Sequence, residues 1–115
     1  MRKTLPADVI TGIDHTLVGV KDLEAARELW QKLGFTVTPR GRHIGWGTGN
    51  YCIMFESGYI ELLGVVQPTE FLNGLDVFLK SREGLMALAF GTEDPKGLQA
   101  ALAKAGIAPD GPKDL

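Results

Sequence analysis

The sequence predicts an α+β fold: one βαβββ unit followed by the first βα of another. Three observations predict it. A strand-like run and a capped amphipathic helix occupy residues 12–34. Short apolar runs bounded by turn residues follow between positions 35 and 66. The opening segment then returns 72 positions later, and a repeat of this kind constrains the whole architecture.

The elements follow in order. Gly12 to Val20 reads as a strand, with Ile13, His15 and Leu17 on one face and Thr16, Val18 and Val20 on the other. Asp22 has the character of a helix N-cap, with Glu24 in the first turn and Lys32 in the last, as the helix dipole favours. Leu23, Ala26, Trp30 and Leu33 recur at steps of three and four, and Gly34 stands where a C′ glycine ends a helix. Phe35-Thr36-Val37-Thr38 is predicted as a short second strand stopped by Pro39. The glycine-rich stretch 40–49 should turn the chain. Asn50 to Glu56 reads as a third strand, Ser57-Gly58 as a tight two-residue turn and Tyr59 to Val66 as a fourth strand. Phe71, Leu75 and Phe78 suggest a short helix within 68–80.

The 72-residue offset places Gly12 on Gly84, Asp22 on Asp94, Gly34 on Gly106 and Phe35 on Ile107. Asp94-Pro95 is an N-cap followed by Pro at N1, and Leu98, Ala101, Leu102 and Ala105 form the second apolar stripe. The second copy stops after Leu115, before three strands of its own.

Composition narrows the function classes. At 115 residues the expectation is one small domain, 1–115, with 12–66 as the first module and 84–107 as a partial second. A net charge of −2 and 44% hydrophobic residues fit a packed core and disfavour both disorder and a basic nucleic-acid surface. The single cysteine, Cys52, precludes an intrachain disulfide framework and fits a reducing cytoplasm. Met1-Arg2-Lys3 is not followed by the apolar stretch of a signal peptide, and no window resembles a membrane span. A cytoplasmic protein without nucleic-acid or membrane partners is expected.

The motifs Ile13-Asp14-His15, Val20-Lys21-Asp22-Leu23-Glu24-Ala25-Ala26, Leu33-Gly34-Phe35 and Gly58-Tyr59-Ile60-Glu61-Leu62 resemble the vicinal-oxygen-chelate superfamily. This is the fold of glyoxalases, bleomycin-resistance proteins and extradiol dioxygenases. Arg42 to Asn50 is similar to glyoxalase-like families of mostly unassigned role. The resemblance implies a curved mixed sheet in each βαβββ module, with two modules closing around a divalent metal. It also implies ligands in the middle of the first and fourth strands, here His15 and Glu61. An imidazole and a carboxylate suit Zn, Ni, Mn, Co or Fe(II), and no organic cofactor is expected. At the equivalent position of the second copy stands Ala87, so the chain offers two ligands at most.

Each feature has a structural alternative. His15 could be a hydrogen-bonded core residue and Glu61 a solvent-facing one, although Ile60 and Leu62-Leu63 make an apolar setting where a carboxylate needs a partner. His43, Arg42 and Arg40 form a basic patch beside Trp46 that would hold an anionic substrate, or else be a solvated loop with an aromatic folded onto the core. Tyr51 and Tyr59 would face the substrate as hydrogen-bond donors, or simply pack. Cys52 reads as a core residue.

Three functions follow from these alternatives. The first is a metal-dependent lyase or isomerase acting on a small oxygenated substrate through an enediolate or oxyanion, with Glu61, or a carboxylate beside the metal, as the proton shuttle. The second is a metal-free module binding an aromatic or drug-like ligand, lined by Trp46, Tyr51, Tyr59 and Phe55. The third is an incomplete domain without activity of its own. The open sheet edge expected of an unfinished repeat points to a homodimer in which a second copy supplies the missing half.

Overall fold

The computed structural model describes residues 4–110. The element order is β1 (Gly12–Gly19), α1 (Leu23–Lys32), β2 (Gly41–Arg42), β3 (Thr48–Met54), β4 (Tyr59–Val65), α2 (Leu75–Ser81), β5 (Gly84–Gly91) and α3 (Pro95–Lys104). The fold is α+β, with a mixed, curved and unclosed five-stranded sheet in the order β2-β3-β4-β1-β5. Parallel pairing of β1 with β4 sets His15 beside Tyr59 and Leu17 beside Glu61. Antiparallel pairing of β3 with β4 sets Cys52 opposite Glu61 and Tyr51 opposite Leu62.

The described residues divide into two compact units, one from Asp14 to Ala89 and one joining residues 4–13 with residues 90–110. In the smaller unit, a 3-10 turn at Pro6–Val9 lies against α3, and Thr11 N–H donates to Gly91 O at 2.9 Å. Asp94 caps α3 by accepting from Gly97 N at 2.9 Å.

In the larger unit the same device starts α1: Asp22 Oδ1 accepts from Ala25 N at 3.0 Å. Gly34 leaves the helix with φ of 95°, a left-handed backbone that a side chain would strain. α1 covers one face of the sheet, where Leu23, Tyr51, Ile53 and Leu62 form the core with Val18, Ala26 and Trp30 packed around them. The helix approaches β4 at Gly64, where an added Cβ would lie 2.8 Å from Leu23 Cβ. On the opposite face, α2 lies against β4, and Phe78 closes over Gly19 of β1. The apolar stripe of α1 ends at Trp30, which meets Phe35 at 5.3 Å, because Leu33 is the C-cap and is exposed.

Three details differ from the sequence expectation. Residues 35–38 form only a bridge, Val37 to Ile53. Pro39 has no N–H to extend the ladder, and Thr38 Oγ1 takes the Cys52 N–H at 3.0 Å in place of a further backbone carbonyl. The second strand is instead the two-residue β2, within the stretch expected to be all turn. The β3–β4 turn is closed by Phe55 N donating to Gly58 O at 2.9 Å, so its centre is Glu56-Ser57, one residue earlier than expected.

Two outcomes follow. Gly64→Ala forces a methyl into the helix–sheet contact, where the opposing atom is fixed near the backbone. Urea unfolding should show a loss of about 1–3 kcal/mol, and an unchanged midpoint would contradict the close packing. Burial, then the hydrogen bond and charge of Glu24, raise the Tyr51 phenol above its ordinary 10.0, against the opposing pull of Arg27 and Arg40. The folded state therefore keeps a proton that the unfolded chain releases. That contribution to stability is full below pH 10 and is lost as pH rises beyond it. Unfolding free energy should fall through this range, and less steeply in Tyr51→Phe; equal slopes would contradict it.

Candidate metal and substrate site

On the sheet face opposite α1, alternation brings His15 of β1, Glu61 and Tyr59 of β4, and Asn50 and Cys52 of β3 to the same side. His15 and Glu61 are diagonal neighbours across the parallel β1–β4 pair, and both side chains are long enough to meet. His15 Nε2 lies 3.6 Å from Glu61 Oε1, with side chains only 17% and 10% exposed.

Each member of this pair is held from its other end. Asp14 Oδ2 sits 2.8 Å from His15 Nδ1, and the imidazole stacks on the Tyr59 ring at 4.5 Å with planes 7° apart. Asn50 Nδ2 donates to Glu61 Oε2 at 3.2 Å. A carboxylate accepts hydrogen bonds, so in the neutral imidazole the Asp14 contact assigns the proton to Nδ1 and leaves the Nε2 lone pair facing Glu61. A lone pair and a carboxylate oxygen facing across such a gap are stabilised by a cation between them. The separation expected for a nitrogen and an oxygen on one tetrahedral zinc is ~3.4 Å. The donor set thus fits half of a divalent-metal site. Among the described residues no group of three or more His, Cys, Asp and Glu side chains is placed to hold a metal ion.

Tyr59 and Cys52 tune the same surface. Burial, followed by the charge of Glu61, raises both the Tyr59 phenol and the Cys52 thiol above their ordinary values. Tyr59 consequently stays a hydrogen-bond donor at neutral pH, and Cys52 a neutral thiol instead of a nucleophilic thiolate.

The remaining candidates lie apart. Tyr51 is on the α1 side, where its hydroxyl donates to Glu24 at 2.7 Å and Arg27 lies over its ring. Its expected place facing substrate is corrected: residues 51 and 62 pair, so Tyr51 shares the core face with Leu62. Arg42 pairs with Glu70 and donates from Nε to Trp46 O at 3.1 Å, while Arg40 faces Glu24 at 3.7 Å. The expected basic patch is therefore largely neutralised by carboxylates. His43 packs on Trp46 at 5.0 Å, and Trp46 meets Phe71 edge-on at 5.1 Å. His43 Nδ1 is buried and has no hydrogen-bond partner among the described residues. Phe55 is half exposed and meets Phe35 at 5.8 Å.

Sequence reasoning gave no role to Asp14 or Asn50. Asp14 had a signal in its position beside the candidate ligand. Asn50 had one in the need of Glu61, set among apolar neighbours, for a donor on the adjacent strand.

The family model for the glyoxalase-like domain matches residues 13–115. No curated protein sequence matches the chain significantly. Among solved structures, methylmalonyl-CoA epimerase from Mycobacterium tuberculosis is similar with a TM-score of 0.72 at 21% identity, over 92% of this chain and 69% of that one. A variant of the Streptomyces coelicolor methylmalonyl-CoA epimerase, in complex with 2-nitronate-propionyl-CoA, gives a TM-score of 0.73 at 24% identity, over 92% and 81%. A hypothetical protein from Bacillus halodurans gives 0.70 at 17%, over 82% and 67%. These likenesses concern the fold. With the match spanning nearly the whole sequence, the chain belongs to the glyoxalase-like domain family, within the vicinal-oxygen-chelate superfamily.

Proposed function

We propose that this chain acts as a metal-dependent isomerase on a small oxygenated substrate, with His15 and Glu61 as its share of the metal ligands. The observation that carries the reading is the approach of His15 Nε2 to Glu61 Oε1 at 3.6 Å on a largely buried sheet face. The epimerase fold neighbours favour proton transfer over lyase chemistry or ring cleavage within this reading.

When bound, a Zn, Ni, Mn, Co or Fe(II) ion would supply Lewis acidity to the developing oxyanion of the substrate. The protein's own residues do the rest. Asp14 holds the His15 ring by Nδ1 and directs Nε2 to the site, the usual arrangement behind a ligating histidine. Tyr59 walls the ring on its stacked side and offers a neutral hydroxyl as a donor. Glu61 is the carboxylate at hand to take up and return the substrate proton.

Two donors are too few for a tight site, so the reading includes a homodimer in which a second copy supplies the others. β5 supports it: the strand lies at the edge of the sheet, with Leu85 and Leu88 about half exposed. On this reading residues 1–115 act as one glyoxalase-like domain. The reading also puts the chain in the cytoplasm, which its single cysteine supports. Among the described residues no helix is long and apolar enough to cross a membrane.

A metal-free ligand-binding module is the second reading, favoured by the aromatic cluster of Trp46, Phe71 and His43 with its unpartnered buried Nδ1. Zinc titration of the purified chain by calorimetry, with light scattering at micromolar concentration, separates the two. The metal reading predicts a dimer that takes up zinc, and a loss of about 100-fold or more in affinity for His15→Ala and for Glu61→Ala. Undiminished uptake in both variants would exclude this pair as ligands, and a monomer would exclude the shared site.

A further inference from the structure

Glu61 points one carboxylate oxygen at His15 and gives the other to Asn50. The residue is 7% exposed and lies between Ile60 and Leu62, so each of its lone pairs depends on a protein partner. Asn50 is that partner for Oε2, through Nδ2 at 3.2 Å. Its amide orientation follows from the chemistry: the reverse would set a carbonyl oxygen against the carboxylate.

The other end of the same amide rests on a second constraint. Gly41 is the register partner of Asn50 across β2 and β3, and Asn50 Oδ1 occupies the space beside its α-carbon. A methyl group on residue 41 would overlap Oδ1 and would meet the rest of the Asn50 side chain only beyond it. Gly41 needs no unusual backbone conformation, since it is not among the glycines of positive φ. What it provides is room. The neighbouring Arg42 anchors this short strand to Trp46 O and to Glu70.

We propose that Gly41 and Asn50 form a positioning device that fixes the Glu61 carboxylate, so that Oε2 is held and Oε1 is presented to His15. The proposal deepens the metal reading and rests on it for the consequence of the device, though not for its existence. Asn50 is a positioning residue, since it acts through Glu61.

The test combines a spectroscopic readout with zinc binding on the full chain. In a ¹H–¹⁵N spectrum, the Asn50 side-chain amide, identified by its loss in Asn50→Leu, should stand downfield of exposed asparagines. Gly41→Ala should move it to the exposed position and lower the unfolding midpoint, because the buried Glu61 carboxylate then loses the hydrogen bond from Asn50. Glu61→Leu should move it likewise. Zinc affinity should drop about 10–100-fold in Asn50→Leu, comparably in Gly41→Ala, and no further in the double variant. An Asn50 amide signal that stays in place in both Gly41→Ala and Glu61→Leu would overturn the device. So would zinc affinity equal to wild type in Asn50→Leu. If the wild-type chain takes up no zinc, the metal reading fails, and the amide signal alone decides whether the device exists.

Discussion

A carboxylate in an apolar strand is the constraint around which this face of the protein is arranged. Glu61 sits on β4 between Ile60 and Leu62, and a charge there costs several kcal/mol unless it is paired and hydrogen-bonded. The sheet supplies the partners from both neighbouring strands. β1 brings His15 in parallel register, and β3 brings Asn50 in antiparallel register. A single strand pairing shifted by one residue would turn Glu61 into the α1 core and His15 away from it. The register is thus as much a part of the site as the side chains.

The opposite face explains why the register holds. Leu23, Tyr51, Ile53 and Leu62 are buried together under α1, and Gly64 lets the helix come close enough to bury them. Asp22 starts that helix and Gly34 ends it, with Glu24 of its first turn taking the Tyr51 hydroxyl. Apolar burial on one side therefore fixes polar placement on the other. This division lets a small sheet carry a polar site without a core of charges.

Much of the fold was legible because its signals are local or repeated. The two Asp caps and the two closing glycines recur 72 positions apart, and each does in the structure what its residue type favours. Strand lengths near Pro39 and Gly41 were not legible, because a threonine side chain substitutes there for backbone pairing and a two-residue strand leaves no periodic trace. The turn centre moved by one residue, which moves cross-strand partners by two. Faces are preserved by that shift, so His15 and Glu61 still share a side, but the strand residue opposite Glu61 becomes Cys52 and its diagonal neighbour Asn50. Asn50 was missed for this reason. Tyr51 was misplaced although simple alternation is enough to put it with Leu62 and away from Glu61. The paired carboxylates at Arg40 and Arg42 come from Glu24 and Glu70, distant in sequence, and no local pattern announces them.

The most direct measurement is anomalous diffraction at the zinc edge from crystals of the full chain grown with zinc. The account predicts a peak bonded to His15 Nε2 at about 2.0–2.1 Å and to a Glu61 oxygen at about 2.0–2.2 Å, with Asp14 still on Nδ1. Zinc bound elsewhere, or no peak there with His15 Nε2 donating a proton directly to Glu61, would contradict it: the pair would then be a buried ion pair that stabilises the sheet and nothing more.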